Sequence, residues 1–390
     1  MIDFDFVSPT KIYFGKGKER QIGNICGNFS YKKALIVIGQ GSVKNSGLLE
    51  LVTTSLIENE INFKIIEGVR PNPQIELCRD GVVLAKEYKP DVILAVGGGS
   101  VIDTAKSIAV GYYYDGDTFD FNLHKVSPKI ALPIGVILTI SAAGSELSSS
   151  CVIQDDKSGT KMGFNSDLIR PVFAIENPEL TYSVSKTQTA YGIVDIMMHT
   201  LERYFQPSSD NEPADGFAET VLRSVIGAGR KVMDNPNDYE SRSVLMLMSS
   251  FSHNDLTNLG KKKGMPVHQL ENCLSGMYPH VAHAAGLAVL FPAWARYYFK
   301  YDVDKFDKLA KNVFNCFETD KYVNAQKGIE ELEKFFIFMS MPRTYKDLGI
   351  ENIDINGLVN KLTNNGTRVV DHHVKPLDKD VALEIFNSCI

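Results

Sequence analysis

The sequence predicts an α/β N-terminal domain, a parallel sheet with flanking helices and an edge hairpin, followed by an all-α C-terminal domain. Three observations carry this. From about residue 30 to 180, short β-branched runs alternate with amphipathic stretches, the pattern of repeated strand–helix–strand units. The strand runs, such as ILAV at 93–96 and GVILTI at 135–140, are apolar throughout, as strands covered on both faces should be. From about residue 188 onward the β signal almost vanishes, leaving helical stretches separated by polar or Pro/Gly breaks such as QPSSDNEPAD and MDNPNDYE. At 390 residues the chain exceeds the size at which one core usually keeps growing, so two domains are expected, 1–181 and 182–390.

The elements follow in order. SPTKIYFGKG (8–17) reads as the edge hairpin. KALIVIG (33–39), FKIIEGV (63–69) and DVILAVGGG (91–99) read as strands. LLELVTTSLIENE (48–60), IELCRDGVVLAKEY (75–88) and SVIDTAKSIAVGY (100–112) read as the helices that follow each of them. No repeat or low-complexity segment interrupts the pattern.

Composition narrows the function. With 44% hydrophobic and 23% charged residues, the chain has an ordinary globular balance and no apolar run long enough to span a bilayer. The start, MIDFDFVSPTK, is acidic where a secretory signal would be basic, and no apolar segment follows it. The six cysteines show no CxxC spacing, which fits reduced thiols and a cytoplasmic location and leaves any metal in need of other ligands. A net charge of −6 and a pI near 5.8 argue against nucleic acid as a partner, and nothing suggests a membrane.

Three loops could hold a dinucleotide. In DVILAVGGGSVIDTAK a strand runs into Gly97, Gly98 and Gly99 and then into a helix opening at Ser100. Backbone N–H groups and the helix N-terminus converge there on a place for an anion. The spacing is not GxGxxG, and no acidic residue stands at the usual distance to read a ribose. Ser100 and Asp103 also have capping-box spacing and could simply start the helix, although three successive glycines exceed what a cap requires. VIGQGSVKNSG (37–47) holds Gly39, Gly41 and Ser42, with Lys44 following. LTISAAGSE (138–146) supplies Thr139, Ser141 and Ser145, small or hydroxylated residues that let a ribose or nicotinamide approach the backbone; alone it could be any tight loop.

The helical half holds a different chemistry. YGIVDIMMHTLERYF (191–205) carries Asp195 and His199 four positions apart, on one helix face. Such a pair can share an ion or merely close a helix face by a hydrogen bond. His268, His280 and His283 fall together in MPVHQLENCLSGMYPHVAHAAGLAVLFPAWARY, where Gly276 to Pro279 should break one helix from the next and lead histidines toward one cleft. One oxygen and three nitrogens without a thiolate suit a borderline divalent ion, Fe²⁺ or Zn²⁺. His253, His372 and His373 read as ordinary core or surface residues, and His280 is left open.

Taken together, GGGS-x-x-D-x-A-K (97–106), T-x-x-x-x-G-S-E (139–146), D-x-x-x-H (195–199) and a later H…H-A-x-x-L-A-x-L-x-P run resemble the iron-containing (group III) alcohol dehydrogenases, especially their NADPH-dependent butanol dehydrogenase branch. The likeness runs essentially end to end. It implies that 1–181 binds a dinucleotide and that 182–390 binds a metal and the substrate. It implies one divalent ion, Fe²⁺ or Zn²⁺, on Asp195, His199, His268 and His283. It also places Asn72, Gly98, Gly99, Ser100, Asp103, Thr139, Ser141, Ser145, Lys161 and Leu180 along the cofactor. The implied reaction is hydride transfer between NADP(H) and a primary alcohol or aldehyde, by a homodimer in the cytoplasm. NADP(H) is expected because relatives preferring NAD carry an acidic residue where this chain has Gly39, at the head of the Gly39, Gly41, Ser42 loop. Two positions depart from the family pattern. Asn272 stands where relatives usually carry a histidine, and the His268 to His283 interval is one residue longer, so that His280 could compete with His283. The run after His283 favours His283. The alternatives are a glycerol-dehydrogenase-like polyol oxidoreductase, a dehydroquinate-synthase-like enzyme with a different ligand set, and a catalytically weak nucleotide-binding relative.

Overall fold

The computed structural model describes residues 1–207, 211–370 and 374–389. Two compact units emerge, Val7–Val184 and Ser185–Ile390, the latter joined by Met1–Phe6. The division falls a few residues beyond the expected 181, after a 3₁₀ turn at Pro178–Thr181, and the first six residues side with the helical unit. There the Ile2 N–H donates to the Gly260 carbonyl at 3.0 Å.

The first unit contains β1 (Lys11–Phe14), β2 (Lys33–Gly39), β3 (Asn62–Val69), β4 (Val92–Gly97), β5 (Ile134–Leu138), β6 (Ser150–Asp155), β7 (Thr160–Asn165) and β8 (Phe173–Glu176). Its helices are α1 (Ile22–Asn28), α2 (Ser42–Asn45), α3 (Leu48–Glu58), α4 (Ile75–Tyr88), α5 (Gly99–Gly111) and α6 (Phe119–Asn122). Six strands form a parallel sheet in the order β1-β8-β5-β4-β2-β3. Because successive side chains leave a strand on opposite faces, Ala34, Ile36 and Ile38 join Val92, Leu94 and Val96 in a core with α1 and α3. Leu35, Val37, Ile93 and Ala95 point the other way, toward the side where α5 packs on β2, β4 and β5. Covering both faces is why these runs contain no polar alternation. Each buried Val, Leu or Ile contributes about 1.5–3 kcal/mol.

The hairpin expected at 8–17 is a single edge strand. β1 pairs parallel with β8, Lys11 opposite Phe173 through Phe14 opposite Glu176. Gly15 and Gly17, both at positive φ, then turn the chain into a 3₁₀ turn at Lys18–Gln21 instead of back along β1. The antiparallel pair of this unit is β6–β7.

The second unit contains α7 (Lys186–Tyr204), α8 (Glu212–Asp234), α9 (Tyr239–Ser252), α10 (Pro266–Met277), α11 (His283–Tyr298), α12 (Val303–Phe314), α13 (Lys321–Phe338), α14 (Ile355–Thr363) and α15 (Lys379–Asn387), and no strand among the described residues. Ser185, Asp238, Asp320, Asp354 and Asp378 side chains each accept an N–H of the first turn of α7, α9, α13, α14 and α15. α10 and α11 have no such side-chain cap from their own N-cap residue. α7 is buried almost throughout, in one core with α8, α10, α11 and α13.

Candidate metal centre and cofactor loops

α7 presents Asp195 and His199 on one buried face, α10 brings His268 in its first turn, and α11 opens on His283. Asp195, His199 and His268 are buried, whereas the His283 side chain keeps 28% of its surface. The Nε2 atoms of His199, His268 and His283 lie 3.5, 3.9 and 4.0 Å from Asp195 Oδ1, and those of His199 and His268 are 3.1 Å apart. His280, in contrast, is exposed beside the Tyr278 ring and takes no part, which removes it as a competitor for the ion. His372 and His373 lie outside the described residues.

These separations bear on the two readings of Asp195 and His199. At 3.5–4.0 Å the imidazoles are too far from Asp195 Oδ1 to hydrogen-bond it, and that buried oxygen has no hydrogen-bond partner among the described residues. Atoms bound about 2.0–2.1 Å from one ion stand about 3.0–4.2 Å from each other, the range observed. The outer nitrogens point to the same conclusion. His268 Nδ1 is 2.7 Å from Glu202 Oε2, and His283 Nδ1 bonds Glu271 Oε2. Since a carboxylate only accepts, both imidazoles carry their proton on Nδ1 and turn an Nε2 lone pair inward. Lone pairs and an anionic oxygen gathered on one point repel each other unless a cation lies between them. Burial, reinforced by His253 and His268, pushes the His199 pKa well below the usual histidine value and keeps its ring neutral.

Residue type alone missed three participants. His253, expected to be an ordinary core or surface residue, places Nδ1 2.7 Å from His199 Nδ1. Glu202 and Glu271 read as helix charges, although each is fully buried. A signal existed: His199-Thr-Leu-Glu202 and His268-Gln-Leu-Glu271 share the form H-x-L-E.

In the first unit most of the candidate cofactor residues lie in or next to the loops at the C-terminal ends of the parallel strands, whereas Lys161 lies in the separate antiparallel pair. β3 and β4 flank β2, so the winding reverses between β2 and β4, the place where ligands bind in open α/β sheets. Gly39 ends β2, Gly41 precedes α2, and Ser42 opens it. Lys44 is ion-paired with Glu67. Asn72, after β3, sits at φ +54° with its carbonyl accepting from Gln74 Nε2. After β4, α5 starts at Gly99 with Gly98 as N-cap and no side-chain cap, so the Ser100/Asp103 capping box is not formed. Asp103 instead accepts from Ser145 Oγ at 2.7 Å and the Val152 N–H at 3.0 Å. The Thr139 N–H, after β5, donates to the Gly97 carbonyl and joins two of the loops. Ser141 Oγ is buried with no hydrogen-bond partner among the described residues, a hydroxyl suited to a bound ligand. Leu180 lies in the 3₁₀ turn after β8, and Lys161 is a buried residue of β7.

Comparison with known proteins agrees with this geometry. A profile described as "Iron-containing alcohol dehydrogenase" matches residues 9–178, and one described as "Fe-containing alcohol dehydrogenase family, C-terminal" matches 189–389. The chain is 37% identical to the NADH-dependent butanol dehydrogenase A of Clostridium acetobutylicum over 390 residues, 100% of both chains. It is 32% identical to the NADPH-dependent aldehyde reductase YqhD of Escherichia coli over 97% of each. Among solved structures, the NADH-dependent butanol dehydrogenase A of Thermotoga maritima superposes with a TM-score of 0.95 at 34% identity, covering 100% of this chain and 99% of that one. Two profiles spanning nearly the whole chain and relatives aligned end to end lead to one conclusion: the chain belongs to the iron-containing alcohol dehydrogenase family.

Proposed function

We propose that the chain is a metal-dependent alcohol dehydrogenase that works as an aldehyde reductase on small primary alcohols and aldehydes, the class to which its butanol dehydrogenase relatives are assigned. The observation that carries this reading is the buried Asp195 oxygen facing three imidazole nitrogens at distances suited to one ion. When bound, the divalent ion supplies a Lewis acid for a substrate oxygen and the nicotinamide supplies or takes the hydride. Asp195, His199, His268 and His283 hold the ion, and Glu202 and Glu271 keep the outer imidazole protons in place. Uncapped N–H groups at the start of α5 take a cofactor phosphate, and Ser141 offers its hydroxyl. Residues 7–184 are thereby the dinucleotide-binding part and 185–390 the metal and substrate part. The complete carboxylate-and-three-histidine set weighs against a glycerol-dehydrogenase-like reading.

NADP(H) is the proposed cofactor. Its support is Gly39, which ends β2 without the carboxylate that would repel a 2′-phosphate. A Cβ there would meet only the Val69 carbonyl at 3.6 Å, an ordinary contact, so packing does not demand the glycine. Lys44 contributes less than its charge suggests, being shared with Glu67. Of the three named relatives, two are NADH-dependent by name and one NADPH-dependent, so the NADP(H) proposal rests on this loop and not on the relatives. A homodimer in the cytoplasm is also proposed. Ile2, Phe4 and Phe6 lie exposed in the segment MIDFDF, apolar side chains that a second copy would cover, and the six cysteines are free thiols.

The test is reduction of butanal by the chain stripped of metal and then restored with Fe²⁺ or Zn²⁺, with NADPH and NADH compared in the parent and in Gly39→Asp. Activity should return with the ion, kcat/KM should favour NADPH, and Gly39→Asp should move preference toward NADH. No activity in any restored sample would leave a nucleotide-binding relative, the reading that Asn272 motivates. Equal kcat/KM for both cofactors would remove the loop from cofactor choice. Light scattering at the monomer mass would remove the dimer.

A further inference from the structure

Two H-x-L-E sequences occur, on α7 at 199–202 and on α10 at 268–271. In each, the histidine belongs to the proposed metal group and the glutamate three residues on reaches the histidine of the next ligand-bearing helix. Glu202 of α7 holds His268 Nδ1 of α10 at 2.7 Å, and Glu271 of α10 holds His283 Nδ1 of α11. We propose that Glu202 and Glu271 are positioning residues that link the three ligand helices in series, fixing the inward Nε2 lone pairs of His268 and His283 and so setting how tightly the ion is held. This rests on the ligand reading above.

Several facts support a purpose beyond packing. Both carboxylates are completely or almost completely buried, a costly place for a charge unless it does something specific. Glu202 also accepts the N–H groups of Val267 and His268, at the start of a helix whose own N-cap residue offers no side chain. One carboxylate thus caps α10 and orients the ligand in its first turn. Glu271 is held as closely: a Cβ at Gly286 would stand 3.0 Å from its Cγ and 3.2 Å from Oε1. A side chain at position 286 would therefore press on Glu271 and require it to shift by a few tenths of an ångström. Metal-bound histidines whose outer nitrogen meets a carboxylate are fixed in tautomer and orientation, and losing that partner weakens binding.

The experiment compares full-length parent, Glu202→Gln, Glu271→Gln, His268→Ala and His283→Ala, each loaded with Co²⁺ as the probe. Affinity and release into excess chelator are measured together with the ligand-field absorption of the bound Co²⁺ and the melting temperature of the metal-free protein. Glutamine keeps the size and an acceptor oxygen but loses the charge. Both glutamine variants should bind Co²⁺ about 10- to 100-fold more weakly, release it faster and show a shifted absorption. A purely structural role would lower the melting temperature and leave the absorption unchanged, which overturns the proposal. If Glu202→Gln does not fold because its helix cap is lost, Glu271→Gln decides, and parental affinity, release and spectrum in that folded variant overturn it. Loss of Co²⁺ in the histidine variants with parental behaviour in both glutamine variants defeats this inference alone. Parental binding in the histidine variants defeats the ligand reading itself.

Discussion

Gly98 and Gly99 are neighbours with different reasons to be glycine. A Cβ on Gly98 would collide with Ile140 Cγ2, whereas one on Gly99 would make an ordinary 3.4 Å contact with the Ala143 methyl. Gly98→Ala should therefore cost about 1–3 kcal/mol through overpacking, and Gly99→Ala should melt near the parent. Thermal midpoints of the two variants check this, and a parental midpoint for Gly98→Ala would show that Ile140 yields easily. The tight loop is legible in the sequence as a run of glycines after a strand, but the collision is not, because Ile140 arrives from the loop after β5. The metal group divides in the same way. Asp195 and His199 are legible because helical spacing puts them on one face, and His268 and His283 are singled out by residue type and by the family pattern. Glu202, Glu271 and His253 are not, since a helix glutamate usually faces water and only the packing of α7, α10 and α11 buries these two.

At the scale of elements, α5 ties the phosphate loop to the loop after β5. Lys106, the last residue of the GGGS-x-x-D-x-A-K run, is fully buried. Its Nζ donates to the carbonyls of Ser145, Ser148 and Ser150 and to Ser145 Oγ, at 2.8–2.9 Å. Burial pushes its pKa down while Asp103, 3.9 Å away, opposes the shift. Lys106→Met would leave those acceptors and the Asp103 carboxylate without the cation, a loss of about 3–5 kcal/mol. Chemical denaturation followed through the first unit should show it, and an unchanged midpoint would mean that water replaces the ammonium without cost. The strands and most helices follow from periodicity. The sequence does not distinguish an edge strand from a hairpin here, because glycines at 15 and 17 look the same whether they turn a chain back or lead it into a 3₁₀ turn, and only the pairing of β1 with β8 tells the two apart. Pro292 is a further case: it lies inside α11, which continues to Tyr298 within a buried core that outweighs one lost helical hydrogen bond.

On the scale of the whole molecule, the chemistry divides as the chain does. Residues 7–184 carry the loops proposed for a dinucleotide on a parallel sheet, and the helical unit carries Asp195, His199 and His268, which could hold one ion, with His283 beside them. The composition shift after residue 180 makes that division visible in sequence. The side on which residues 1–6 fall is not visible, because it rests on long-range contacts such as the backbone hydrogen bond from Ile2 to Gly260. The reading of the molecule as a metal-dependent dehydrogenase stands on the ion site. Its most direct test is elemental analysis of the parent, His268→Ala and His283→Ala after stripping and reloading with a divalent ion. One ion per chain in the parent and marked loss in both variants is the predicted result, and full occupancy in both variants would contradict it.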